Sequence, residues 1–255
     1  MLDAALALAS DLADAAGAAI RPYFRQPLQV DDKPDLSPVT VADRAAEAAM
    51  RQLIGARFPD HGIIGEEYGQ ERNDAEFVWV LDPIDGTKSF ISGVPLFGTL
   101  IALTRHGRPI LGVIDQPISR ERWVGAEDRP TKLNGQPVHT RPCTDLSTAT
   151  VFSTTPDMFE GADAKAYRRV AAGAKLVRYG ADCYAYGLVA LGLVDVVIEA
   201  SLKAYDFSAM VPVIAGAGGT ATDWQGAPLG LGSDGRVVAA GDRRVHRQIL
   251  ALLET

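Results

Sequence analysis

Asp82 and Asp85 stand three residues apart in Trp79-Val80-Leu81-Asp82-Pro83-Ile84-Asp85-Gly86-Thr87-Lys88, where an apolar run gives way to a glycine turn. Two carboxylates on one turn can converge on a point, and the Ile84 carbonyl can add a further oxygen. Hard divalent cations take such oxygen donors. Gly86 lets the backbone approach a ligand closely, and the amides of Gly86, Thr87 and Lys88 can form an anion-binding nest or helix start. A cation below and an anion above is the setting for phosphate-ester chemistry. An isolated D-x-x-D-G can equally be a turn whose two Asp residues cap backbone groups.

The surrounding sequence supplies more carboxylates. Gly62-Ile63-Ile64-Gly65-Glu66-Glu67 puts an acidic pair just after a short apolar strand. Ser37-Pro38-Val39-Thr40-Val41-Ala42-Asp43 leads into the helical pattern Ala45, Ala46, Ala49, Met50, Leu53. Asp43 falls at or near that helix start and, taken alone, suits a cap better than a ligand. Asp206 heads a stretch, Phe207 to Thr222, that contains no charged residue, which places it at the mouth of a buried helix.

The elements that must position these groups follow from periodicity. Phe77 to Leu81 reads as a buried strand, and Pro83, which cannot donate to a ladder, predicts its end near Asp82. Helices are expected over 2–24 and 40–57, and strands over 77–82, 97–105, 110–116 and 121–126. The second half alternates: strand 149–153, helix 162–173, strand 175–179, helix 182–192, strand 194–199, helix 207–218, strand 237–241 and a terminal helix. Turn-rich sequence at Asp128-Arg129-Pro130 and Lys132-Leu133-Asn134-Gly135 marks the boundary. Residues 1–130 then form an N-terminal α+β half carrying the acidic motifs, and 131–255 a C-terminal half in which a sheet is covered by helices.

Taken together, Gly65-Glu66-Glu67, Asp82-Pro83-Ile84-Asp85-Gly86-Thr87 and Asp206 followed by Ala217-Gly218-Gly219 resemble the inositol monophosphatase family of magnesium-dependent, lithium-sensitive phosphatases. The likeness spans nearly the whole chain in order and spacing. It implies a layered α-β-α-β-α sandwich with the site between its halves. It further implies that Glu66, Asp82, the Ile84 carbonyl, Asp85 and Asp206 hold Mg2+, two to three ions per site, with Asp43 helping a more weakly held third ion. Glu66, Thr87 and Asp43 would be the catalytic groups, Thr87 orienting the attacking water. Metal-activated water and charge neutralisation would then do the chemistry, with no phosphorylated residue.

Specificity is expected elsewhere. In that family the segment Arg178-Tyr179-Gly180-Ala181-Asp182-Cys183-Tyr184-Ala185-Tyr186-Gly187 and the acidic residue seven before the late Asp, here Glu199, contact the alcohol portion. Inositol phosphatases usually carry a small apolar residue at the position of Asp182. A carboxylate there, with Glu199, could pair with an ammonium or imidazolium, and Tyr184 or Tyr186 could stack on a ring or cation. This pattern, with Gly112-Val113-Ile114-Asp115-Gln116-Pro117-Ile118 and Glu121-Arg122-Trp123, resembles the histidinol-phosphatase branch. The expected substrate is L-histidinol phosphate, bound by Gly86, Thr87, Lys88, Asp182, Tyr184, Glu199 and Asp206. An inositol 1-phosphate or sugar phosphatase of the same fold is the alternative, and a noncatalytic phosphate-ligand sensor a more distant one. Asp182 could instead cap a helix after Gly180, Lys88 could simply face solvent, and one of the two tyrosines belongs to the core, since residues two apart cannot share a helix face.

Composition agrees with an intracellular enzyme. A chain of 255 residues, 47% hydrophobic, can bury a substantial core without staples. The two cysteines, Cys143 and Cys183, make neither a disulfide framework nor a C-x-x-C site, and His61, His106, His139 and His246 match no zinc spacing. A net charge of −7 weighs against nucleic acid as a partner. Arg168-Arg169 and Arg243-Arg244 read as solvated faces. The Ala-rich first twenty residues carry Asp3, Asp11 and Asp14 and no basic segment, so they read as an amphipathic helix and not a signal peptide. No apolar run is long enough to cross a membrane, giving a cytoplasmic expectation by default. A homodimer is expected from the family likeness alone.

Overall fold

A computed structural model describes residues 1–27, 30–32 and 38–254; Ser37, at the head of the segment leading to Asp43, lies outside the described residues. Helix α1 (Leu2–Ile20) buries Ala5, Leu8, Leu12, Ala16 and Ile20, an i, i+3/i+4 stripe. Its expected extent to residue 24 is cut short because Pro22 starts a separate 3-10 turn at Arg21–Tyr23. Strands β1 (Val30–Asp32) and β2 (Pro38–Thr40) pair with each other and lead to α2 (Val41–Arg57). Thr40 is the N-cap of α2, and Asp43, three residues on, reaches back to the Thr40 amide, completing a capping box.

The first large sheet is built from β3 (Gly62–Gly65), β4 (Gly69–Glu71), β5 (Phe77–Asp85), β6 (Gly98–Arg105), β7 (Arg108–Gln116), β8 (Glu121–Ala126), β9 (Arg129–Leu133) and β10 (Gln136–Pro137). The short helix α3 (Thr87–Ile91) lies between β5 and β6. Strand order is β10-β9-β8-β7-β6-β5-β3-β4, antiparallel except where β3 runs parallel to β5. The turn-rich segment at 128–135 makes the hairpins that join β8, β9 and β10.

The second sheet has the order β12-β11-β13-β15-β14. Its strands are β11 (Thr150–Ser153), β12 (Leu176–Tyr179), β13 (Val196–Glu199), β14 (Thr220–Thr222) and β15 (Val237–Ala240). Connecting them are α4 (Gly161–Gly173), α5 (Tyr184–Ala190), α6 (Ala204–Phe207), α7 (Met210–Gly216) and the closing α8 (Arg243–Leu253).

Three apolar clusters divide the molecule. One joins α1 and α2 to the outer face of the first sheet, through Leu8, Met50, Trp79 and Ile101. The second fills the space between the sheets, where α5 and α7 lie, through Trp123, Tyr186, Val213 and Val197. The third packs α4 and α8 on the far face of the second sheet, through Tyr167, Val196 and Ile249. The expected α-β-α-β-α sandwich is therefore the observed one. Its middle layer sits at backbone contact on the first sheet: a Cβ at Gly112 would lie 1.9 Å from the Ala209 carbonyl oxygen, and one at Gly125 2.4 Å from that of Pro212. Among the described residues no helix is long and apolar enough to cross a membrane.

Three further expectations are corrected. Strand β5 does not stop at Asp82 but continues to Asp85, because a register shift against β6 between those residues accommodates Pro83. The helix expected over 182–192 spans only Tyr184–Ala190, since Asp182 adopts a left-handed φ of 44°. The segment 207–218 is two helices, and Asp206 is the third residue of the first. Pro212, with no N–H to donate, fits the first turn of α7 and would break one continuous helix.

Candidate active site

The bulge in β5 shapes the site. Asp82 Oδ1 accepts the Ile84 amide at 3.0 Å, and Thr99 Oγ1 donates to the Pro83 carbonyl at 2.8 Å, so the turn is held from within and from β6. The Thr87 hydroxyl donates to the Ile84 carbonyl at 3.1 Å. Gly86, at φ 82°, starts α3 without a side-chain cap, which leaves the first-turn amides of Thr87 and Lys88 without a side-chain acceptor among the described residues. Glu66 enters from β3: its amide donates to the Leu81 carbonyl at 3.2 Å, setting it beside the end of β5.

Asp206 arrives from the other half, on α6, with its Oδ2 accepting the Lys203 amide at 2.6 Å. One carboxylate oxygen from each of Asp82, Asp85 and Asp206 lies within 4.8 Å of the others. Asp82 is 1% exposed. Burial, then Glu66, Asp85 and Asp206, push its carboxyl well above the usual range. Burial followed by Asp182 and Asp206 does the same to Asp85, with the Cys183 side chain opposing; the Cys183 amide also donates to Asp85 Oδ2, at 2.7 Å. Burial takes Asp206 to about 7. Three clustered oxygen donors, one buried and two half-buried, that repel one another could hold a hard cation: a divalent ion would change the sign of each of those interactions. The donor set suits magnesium-like ions and not thiophilic ones.

Asp182 stands at the rim of this cluster. Ser89 Oγ donates to its Oδ2 at 2.9 Å, and a Cβ on Gly86 would fall 2.9 Å from its carboxyl carbon, so it lies against the glycine turn. It does not cap α5, which has no side-chain cap. Burial raises its pKa, with the Ser89 hydrogen bond and Lys88 opposing. Glu199 is fully enclosed: it accepts from the Thr154 amide at 3.0 Å, from the Thr154 hydroxyl and from Tyr186 Oη at 2.8 Å. Burial pushes it up to about 7.

Of the two tyrosines, Tyr186 is the core residue, at 0% exposure. Tyr184 is half-buried, edge-on to Trp123 and donating to Glu121 at 2.8 Å. Asp43 is buried on α2, with burial raising its pKa and Glu66 adding to the rise. Groups that sequence reasoning missed include Ser89 and Thr154, which hold Asp182 and Glu199. Another is Glu47, fully buried on α2, which accepts from the amides of Glu67 and Tyr68. The four-residue spacing of Asp43, Glu47 and Arg51 was the available signal for it.

Known proteins resemble this chain along nearly its whole length. A family model described as the inositol monophosphatase family matches residues 1–255. The bifunctional phosphatase IMPL2, chloroplastic, of Arabidopsis thaliana is 53% identical over 262 residues, covering 99% of this chain and 76% of that protein. The histidinol-phosphatase of Chlorobaculum parvum is 38% identical, covering 97% and 96%. A solved structure of an inositol monophosphatase from Zymomonas mobilis superposes with a TM-score of 0.91 at 49% identity, covering 97% of this chain and 96% of that one.

Proposed function

The chain belongs to the inositol monophosphatase family, a family of metal-dependent phosphatases acting on small phosphate esters, and we propose that its substrate is L-histidinol phosphate. The observation that carries this reading is Asp182, a carboxylate pinned by Ser89 against the Gly86 turn at the edge of the acidic cluster. An anionic group on the leaving-group side favours an alcohol that carries a cation, and histidinol carries an amine and an imidazole. The relatives named as histidinol-phosphatases support the same choice. A second reading, inositol 1-phosphate, is favoured by the naming of the Zymomonas mobilis structure.

Asp82, Asp85, Asp206, Glu66 and the Ile84 carbonyl would hold Mg2+, two ions or three, with Asp43 helping to hold a third. The chemistry such ions supply when bound is a water of lowered pKa and neutralised phosphoryl charge. The chain's own groups do the rest. Thr87, whose hydroxyl reaches the Ile84 carbonyl, orients the attacking water together with Glu66. The uncapped amides of α3 donate to phosphate oxygens, and Lys88 adds a cation beside them. Asp182 pairs with the ammonium of the alcohol portion. Glu199, whose oxygens are filled by Thr154 and Tyr186, acts on that cation through its field. Tyr184 borders the same side. A second copy of the chain as partner belongs to this reading by family likeness.

The test is a comparison of kcat/KM for L-histidinol phosphate and inositol 1-phosphate with Mg2+. A higher value for histidinol phosphate is expected. A higher value for inositol 1-phosphate would refute the substrate assignment, and no turnover of any phosphomonoester would favour a ligand sensor.

A further inference from the structure

Helix α2 turns a polar stripe inward. Asp43, Glu47 and Arg51 are spaced four apart and so share one face, and Asp43 and Glu47 are 1% and 0% exposed. The Glu47 carboxylate is held on three sides. It accepts from the Glu67 amide at 2.7 Å, from the Tyr68 amide at 3.2 Å and from Arg51 Nε at 2.8 Å. Arg51 in turn donates to the Gly69 carbonyl, lies 3.8 Å from Glu71 and covers the Tyr68 ring. Together they grip the β3–β4 hairpin across its turn, on the residues that directly follow Glu66. The grip is close: a Cβ at Gly65 would sit 2.0 Å from Glu47 Oε1.

A buried ion pair contributes little net stability over a well-packed apolar replacement, because desolvation offsets the attraction. Its direction is another matter. Charge-assisted hydrogen bonds from two consecutive amides fix the orientation of the peptide planes after Glu66, while the Glu66 amide is fixed by the Leu81 carbonyl. The backbone on both sides of Glu66 is thereby anchored, one side to β5 and the other to α2.

We propose that Glu47, with Arg51, is a positioning residue that aims Glu66 at the Asp82, Asp85 and Asp206 cluster and so sets the affinity of the site for divalent cations. This rests on the reading of Glu66 as a metal ligand. Groups that orient ligands typically change metal affinity about 10- to 100-fold when removed, and that is the effect expected here.

The experiment titrates metal-stripped full-length protein with Mn2+, reading free Mn2+ by electron paramagnetic resonance, for the wild type, Glu47→Gln, Glu66→Gln and the double variant. Circular dichroism and Tm establish that each is folded. Expected is a Kd at least about tenfold weaker for Glu47→Gln, and no further loss when Glu47→Gln is added to Glu66→Gln, because the first acts through the second. Should Glu47→Gln not fold, Glu47→Asp keeps the charge but withdraws it from the two amides, and the same shift is expected. Wild-type affinity in a folded Glu47 variant, or independent, additive losses in the double variant, would overturn the proposal while leaving the metal reading intact. Wild-type affinity in Glu66→Gln would overturn that reading and the proposal with it.

Discussion

Replacing Asp206 by Asn should stabilise the metal-free protein at pH 8 while removing its response to Mg2+. Asp206 is pushed from an ordinary 3.8 to about 7, chiefly by burial and against the Lys203 amide. At about 1.4 kcal/mol per pH unit, holding it ionised above neutrality costs the folded state up to about 4 kcal/mol. Glu66 and Glu199 supply part of that rise, and solvent reaching the half-buried side chain discounts the figure. About 2 kcal/mol of gain is the working value, or about 4–8 °C in Tm for a chain of this size. Asn keeps an acceptor for the Lys203 amide, so the start of α6 survives.

The sign with pH follows from proton counting. Asp206 and Glu199 titrate near 7 in the folded protein and near 4 when unfolded, so between those values the native state binds more protons. Metal-free wild type therefore loses stability as pH rises from about 4 to about 7, and Asp206→Asn flattens the loss. With saturating Mg2+ the slope reverses, since the ion needs the ionised carboxylates. Thermal unfolding of both proteins in EDTA and in Mg2+, at pH 5 and pH 8, measures all four corners. A lowered Tm for Asp206→Asn in EDTA at pH 8, or an undiminished Mg2+ increment, would refute the reasoning.

Asp85→Asn should abolish turnover with the fold intact by circular dichroism, and unchanged kcat would contradict its place among the metal-holding groups. Asp182→Ala should raise KM for histidinol phosphate about tenfold, the scale of one lost charge-assisted contact, with a smaller penalty on a phosphomonoester lacking an amine; equal penalties would remove Asp182 from substrate recognition. Gly112→Ala should cost about 1–3 kcal/mol of stability, read by denaturant unfolding, because its methyl group would press on the Ala209 carbonyl.

The acidic turn was legible because its chemistry is contiguous: two Asp residues, a carbonyl and a Gly occupy five positions, and Gly65-Glu66 repeats the signal upstream. Asp206 was not, by periodicity alone. It lies more than a hundred residues away in sequence and was placed by family likeness. Ser89, Thr154 and Glu47 were missed for a different reason: each acts on a neighbour through hydrogen bonds that a linear pattern does not display, and a Glu in mid-helix ordinarily faces water. The layers were readable from alternating elements, whereas their ends were not. Pro83 looked like a stop because a bulge in the partner register cannot be seen from one strand, and the uncharged run after Asp206 concealed the restart at Met210.

Gly112 and Gly125 put the main chain of the α6–α7 segment directly on the first sheet, with no side chains between to act as a cushion. Asp206 is thus fastened to the half that carries Asp82 and Asp85, and the two halves cannot part like a clamshell without breaking that contact.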